Sequence, residues 1–342
     1  MEKILQEALA QGWTDLHLSA GGIYARKDGQ LDRLAGQVLP EGAVSAFFKA
    51  QLPAQPPDGK DFSLTYAGQR IRVHQYDTFQ GKAWALRLLP GEVPALQNLH
   101  LPACLPSLLA PQGGLVLVTG PTGSGKSTTL AALLADRAKQ GGHLMTFERP
   151  VEYIIPSHRA LVTQVELTED QALGPLLAGA LRADPDVVMI GEIRTTEAAK
   201  GALYLAETGH LVLSTLHSAD VVQALMRLVH LVPANERPLW QGVLAEVLCG
   251  VVSQRLVPKA TGQGRVPVAE VLVRSDGLVR QIRDGAWSLV AQSLENQAVG
   301  TSLEGHMADQ IRQGYLDPVT AYQITAYPER LTMLLEQEKR TK

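Results

Sequence analysis

Apolar residues recur at helical spacing across Glu2–Gln11, with Ile4, Leu5, Ala8 and Leu9 on one face, and the pattern stops at Gly12. Alternation then takes over. Leu16 and Leu18, and Ile23 to Ala25 beyond Gly21-Gly22, predict short strands. Glu41 to Gln51 predicts a second helix, ended by the stretch from Pro53 to Pro57. Two further strands are expected at Gln69 to Tyr76 and Ala83 to Leu89, joined as a hairpin through Gln80-Gly81. From residue 115 the pattern changes to continuous apolar runs alternating with helical stretches. The runs are Leu115–Thr119, Leu144–Phe147, Asp186–Ile190 and Leu211–Thr215, and Thr128–Lys139 between the first two is helical. Such runs predict buried strands of a mainly parallel sheet covered on both faces. The last eighty residues read as mostly helical, including Leu289–Gln297, Ser302–Gln313 and Pro318–Ile324.

The change of pattern falls at Pro90-Gly-Glu-Val-Pro94, where two prolines and a glycine disfavour any regular element. This predicts an N-terminal domain over 1–89, a linker at 90–95, a core over 96–258 and a mainly helical C-terminal part over 259–342. At 342 residues and 45% hydrophobic, the chain can bury two cores. Its 31 Lys and Arg against 34 Asp and Glu give a net charge of -3 with no basic stripe, which argues against nucleic acid as the partner. Cys104 and Cys249 alone cannot build a four-ligand zinc site, and they favour a reducing compartment. No signal-peptide pattern and no apolar run of about 18 residues is found. The expectation is a cytoplasmic protein without direct membrane insertion, held near a membrane only through partners.

The strongest chemical signal is Gly120-Pro121-Thr122-Gly123-Ser124-Gly125-Lys126-Ser127, followed by Thr128, set between an apolar strand and a helix. It satisfies the phosphate-loop pattern in full. The glycines let successive backbone N–H groups converge on a triphosphate at the helix N-terminus. Lys126 is expected at the β- and γ-phosphates, and Ser127 at Mg²⁺, which makes ATP and Mg²⁺ the expected cofactors.

A second run, Asp186-Val-Val-Met-Ile-Gly-Glu192-Ile-Arg194, ends an apolar strand with a carboxylate. Ligands of open α/β sheets sit at the C-terminal ends of strands, so Glu192 is a candidate to orient and deprotonate water. Its alternative is an exposed acid in a turn. Arg194 either binds phosphate or pairs with a neighbouring acid. His217, at the end of Leu211–Leu216, either senses the γ-phosphate or is a satisfied buried side chain.

Four segments together resemble the ATPases of secretion and type IV pilus systems. They are Gly120–Thr128, Glu148-Arg-Pro-Val-Glu152, Leu181–Arg194 and Glu207–His217, in the order of that family's Walker A loop, Asp box, Walker B strand and His box. Asp15-Leu-His-Leu-Ser19 and Val252-Ser-Gln-Arg-Leu256 extend the likeness over most of the chain. Within the family the chain is most similar to the pilus retraction group. The long extra N-terminal domain and the four-cysteine motif usual in assembly and type II secretion members are absent, and Gly277–Gly285 resembles a degraded form of the retraction group's C-terminal motif.

The resemblance implies an α/β fold with a RecA-like P-loop NTPase domain, a smaller N-terminal PAS-like α/β domain and a helical C-terminal region. It also implies a homo-hexamer acting on an inner-membrane pilus platform protein. It supports Glu192 as the catalytic acid, raises His217 and less strongly His210, and points to Arg72 and Arg87 as arginines that close over the nucleotide. Ordinary strand-surface arginines are their alternative. Glu148 and Glu152 are retained, and either could organise Mg²⁺ through water. Two positions depart from the pattern. Arg149 replaces an acid, which implies a lowered rate, and Thr195 replaces an aspartate, which a shared capping role would make structurally silent.

The function expected is a mechanochemical ATPase powering pilus retraction. The alternatives are a pilus assembly or type II secretion ATPase, a nucleotide-binding regulatory subunit with weak turnover, and a nucleic-acid translocase disfavoured by the charge.

Overall fold

The structure, a computed structural model, describes residues 1–27, 30–34, 40–51, 61–89, 91–167, 173–295 and 300–337. The expected break at Pro53–Pro57, Pro90 of the linker, and the end of the 289–297 helix lie outside these residues. The chain divides into two compact units. The first takes Met1–Glu92 together with Arg149–Ile154 and Glu166–Gln171, and the second takes Val93–Glu148, Ile155–Val165 and Ala172–Lys342.

The first unit begins with α1 (Glu2–Gln11), stopped by Gly12 in the left-handed conformation with φ 69°. Strands β1 (Asp15–Ser19), β2 (Gly22–Lys27) and β3 (Gln30–Arg33) follow, then α2 (Glu41–Gln51), β4 (Asp61–Tyr66), β5 (Gln69–Thr78) and β6 (Gly81–Leu88). They form an antiparallel sheet in the order β3-β2-β1-β6-β5-β4. Its period-two pattern sends Leu16, Leu18, Ile23, Leu64, Ile71, Val73, Trp84 and Leu86 to one face. There they pack with Ile4, Leu5 and Ala8 of α1 and Val44 and Phe48 of α2. Opposite the core, β5 and β6 carry Arg72 and Arg87 as direct cross-strand partners.

The second unit is built on β7 (Gly114–Thr119), α3 (Lys126–Ala138), β8 (Gly142–Glu148), β9 (Ala160–Glu166), α4 (Leu173–Ala180), β10 (Val187–Ile190), α5 (Thr196–Glu207) and β11 (Leu211–Leu216). Then come α6 (Val221–His230), α7 (Arg237–Val247), β12 (Leu248–Pro258) and β13 (Arg265–Val273). The chain continues through α8 (Asp276–Arg283), α9 (Trp287–Glu295), β14 (Gly300–Thr301), α10 (Leu303–Arg312), α11 (Pro318–Ile324) and α12 (Pro328–Gln337). The sheet order is β14-β13-β12-β7-β11-β10-β8-β9. Strands β12, β7, β11, β10 and β8 run parallel, whereas β13 and β14 are antiparallel to their neighbours. Every residue of β7, β10 and β11 is buried, because both faces are covered.

Two strands go beyond the sequence expectation. The apolar run of β12 is interrupted by Ser253-Gln254-Arg255, and β13 contains Pro267 and Glu270, so neither reads as a clean strand. The C-terminal part is therefore helical only after it has added β13 to the sheet. Pro267 is tolerated because, among the described residues, β14 pairs with Val271 and Leu272 alone, which leaves the outer edge at 267 without a ladder to break.

Candidate active site

The order β7-β11-β10 places the C-terminal ends of three parallel strands side by side, with Thr119 opposite Leu216 and Ile190 opposite Ser214. The chain leaves β7 through the glycine loop and enters α3 at Lys126. Gly120, Gly123 and Gly125 have φ of 142°, 76° and 89°, values that side chains strongly disfavour. At Gly120 a Cβ would also lie 2.2 Å from the carbonyl oxygen of Gln254. The loop can close only with glycine there.

Pro121, Thr122, Gly123 and Ser127 are exposed, Gly125 and Thr128 are half-buried, and Ser124 and Lys126 are buried. The Lys126 ammonium donates to the carbonyls of Gly120 at 2.9 Å and Pro121 at 3.0 Å. The Ser124 hydroxyl is buried with no hydrogen-bond partner. A turn of N–H groups at the start of a 13-residue helix, an ammonium tucked into the loop and an unsatisfied hydroxyl fit a polyphosphate.

Glu192 lies just past β10. Its backbone surroundings are stitched to the sheet: Gly191 N–H donates to Phe147 O (2.8 Å), Thr215 Oγ1 donates to Gly191 O (2.6 Å), and Ile193 N–H donates to Thr215 O (3.0 Å). One carboxylate oxygen meets Arg194 at 2.7 Å and the other meets His217 Nε2 at 3.3 Å. The structure thus brings Glu192, Arg194 and His217 into one cluster. The contact with Glu192 holds the Arg194 guanidinium more firmly protonated than usual. On the other side, Ser218 N–H donates to Thr119 Oγ1 at 3.0 Å, which ties the end of the His217 loop to the strand that feeds the phosphate loop. Thr195 caps α5 by accepting from Ala198 N–H, the role that its substitution for aspartate predicts.

Other candidates are placed differently. Glu148 ends β8 buried, its carboxylate accepting from Thr146 Oγ1 (2.7 Å) and Gln164 Nε2 (3.0 Å). Arg149, exposed, and Glu152, half-buried, fall in the segment that clusters with the first unit. His210 sits at the N-terminal end of β11 with Nδ1 3.0 Å from Leu205 O, at the opposite end of the strand from His217. This takes His210 out of the candidate site: its ring serves the end of α5. Within the first unit, Arg87 Nε donates to Asp15 at 2.8 Å and Arg72 lies 3.6 Å from Asp61. Burial works to raise Asp15, but the Arg87 guanidinium and the Thr14 hydroxyl outweigh it and hold the carboxyl below its ordinary range.

Sequence reasoning placed Gln254 within the Val252–Leu256 segment of the family likeness but gave it no role. Its side chain is buried against the phosphate loop, with Nε2 donating to Ser124 O (2.7 Å) and Oε1 accepting from Thr129 Oγ1 (2.8 Å). The available signal was a polar triplet inside an otherwise apolar run.

Comparison with known proteins places this arrangement in a class. Residues 1–339 match the Type II/IV secretion system protein family, and the chain belongs to that family. It is a P-loop ATPase of that class. The Type IV pilus retraction ATPase PilT of Pseudomonas aeruginosa is 35% identical over 323 residues, covering 91% of this chain and 92% of that protein. A twitching motility protein of Neisseria gonorrhoeae is 37% identical over 266 residues, or 76% of this chain and 71% of the relative. Among solved structures, the pilus retraction motor PilT with bound ADP superposes with a TM-score of 0.86 at 33% identity, covering 97% of this chain and 98% of that one.

Proposed function

We propose that this ATPase is a hexameric motor that powers retraction of a type IV pilus, working in the cytoplasm against an inner-membrane platform protein. The observation that carries the reading is the placing of two machines at the C-terminal ends of two strands that flank β11. A glycine loop with a buried lysine leaves β7, and a carboxylate held between Arg194 and His217 follows β10. The length-wide similarity to a retraction motor supplies the kind of work. Among the described residues no helix is long and apolar enough to cross a membrane, which suits attachment through a partner.

In this reading the amides of 120–127 and Lys126 hold the β- and γ-phosphates and so fix the leaving group. Glu192 orients the attacking water and takes its proton. His217, against the other Glu192 oxygen, reports the γ-phosphate to that carboxylate. Arg194 pairs with the Glu192 carboxylate until the water is in place. Arg72 and Arg87 are the candidates to neutralise phosphoryl charge, as the family resemblance implies, on the nucleotide of the same or of a neighbouring subunit. Ser127 is the candidate ligand for Mg²⁺, with Glu152 acting through water, and the ion would supply positive charge against the phosphates.

Phosphate release by the purified ring with Mg-ATP tests the reading. Lys126→Ala and Glu192→Gln are each expected to lower turnover at least 100-fold, the second with nucleotide binding retained. An assembled wild-type ring without turnover would refute the motor.

A further inference from the structure

Strand β12 runs beside β7 and carries three consecutive polar residues past the phosphate loop. Alternation sends their side chains to opposite faces. On one face, Ser253 Oγ and Arg255 NH2 both donate to the carbonyl of Ala219, each at 3.3 Å, two residues beyond His217. On the other face, Gln254 is only 1% exposed and turns one end of its amide to the nucleotide loop and the other to α3. Nε2 donates to Ser124 O, and Oε1 accepts from Thr129 on the first turn of α3. The orientation of the amide is chemically fixed, because the Ser124 carbonyl can only accept. The fit is close on every side: a Cβ on Gly125 would lie 3.1 Å from Gln254 Nε2, and one on Gly120 would strike the Gln254 carbonyl.

We propose that Gln254 is a positioning residue for ATP binding: it clamps the curled loop to α3 so that the loop amides point at the phosphates before nucleotide arrives. Ser253 and Arg255 set the loop after His217 from the same three residues, so strand β12 keeps the phosphate grip and the γ-phosphate sensor in register. A loop bent through three positive-φ glycines has little intrinsic preference for this shape. Without the clamp, part of the binding energy goes into ordering it, and apparent affinity falls by the fraction of loops already closed. Two hydrogen bonds, each contributing about 1 kcal/mol, correspond to a roughly 10- to 30-fold weaker affinity. The proposal rests on the reading that residues 120–127 hold the phosphates.

The test measures affinity for Mg-ATP by calorimetry on assembled protein, well below the melting transition. Lys126→Ala serves as the control for the loop itself. Gln254→Met keeps the length and packing of the side chain and removes both hydrogen bonds. It is expected to weaken ATP about 10-fold or more with the ring intact. Gln254→Glu keeps the acceptor for Thr129 but sets an acid against the Ser124 carbonyl, and is expected to bind at least as poorly. Thr129→Val is expected to weaken binding about 3-fold alone and to add little on the Gln254→Met background, because both remove the same clamp. Wild-type affinity in folded Gln254→Met overturns the proposal. Should that variant fail to fold, unchanged affinity in Thr129→Val overturns it instead. Undiminished binding by Lys126→Ala would remove the phosphate-loop reading and the clamp with it.

Discussion

Glu270 and His306 are expected to oppose one another in the pH dependence of stability. Glu270 on β13 accepts from Val221 N–H at 2.7 Å, where α6 begins. Burial, helped by the nearby Asp220 and Glu304 carboxylates, pushes it from 4.5 up to about 7, against the pull of the Val221 amide and Arg255. Between about pH 4.5 and 7 the folded chain keeps a proton that the unfolded chain has released. Stability therefore falls as pH rises through that window. At about 1.4 kcal/mol per pH unit, the total is about 3 kcal/mol.

His306 works in the other direction. Its Nδ1 accepts from Ala269 N–H at 3.0 Å, and burial lowers it from 6.5 to about 4. Below pH 6.5 the unfolded chain gains a proton that the folded chain refuses, so stability falls as pH drops from 6.5 toward 4, again by about 3 kcal/mol. In the wild type the two slopes cancel between about pH 4.5 and 6.5. Glu270→Gln keeps an acceptor for Val221 and removes the first slope. The variant should match wild type near pH 4.5 and exceed it by about 3 kcal/mol at pH 7.5. Urea titrations of the intact chain at four pH values, comparing Glu270→Gln with wild type by tryptophan fluorescence and circular dichroism, measure this. A stability difference that does not widen from pH 4.5 to 7 would refute the reasoning.

Gly120→Ala should cost about 1–3 kcal/mol through overpacking against Gln254 and abolish nucleotide binding, as read by thermal melting and calorimetry together. At the start of α5, Thr195→Ala should lower stability by about 1 kcal/mol through loss of the cap. Thr195→Asp should leave the melting point nearly unchanged; a marked drop would show that Thr195 does more than accept from Ala198.

The parts of this molecule that were legible in its sequence are those where local pattern and chemistry agree. Ile4, Leu5 and Ala8 mark α1 by spacing, and Gly12 ends it in the conformation glycine favours. The runs that became β7, β10 and β11 announced their burial by lacking polar residues. Lys126, Glu192 and His217 could be located because a glycine loop and two strand ends confine them. The role of Gln254 escaped because a buried polar side chain looks like an interruption until its partners at 124 and 129 are seen, more than 120 residues away in sequence. The opposite ends of β11 hold two histidines of similar sequence context, and only the direction of the strand separates His217 from His210.

The first compact unit is not made from a single stretch of chain, and this limits how the protein can be dissected. Val151 N–H and Ser63 both donate to Glu166, and Arg70 reaches the Glu166 carboxylate and the Val151 carbonyl. A fragment starting at Val93 would carry Val151 and Glu166 stripped of Arg70 and Ser63, and a fragment ending at Glu92 would lose the pieces those residues hold. Trimming at the proline-rich junction therefore yields two damaged halves, and the junction is better probed by substitution within the intact polypeptide.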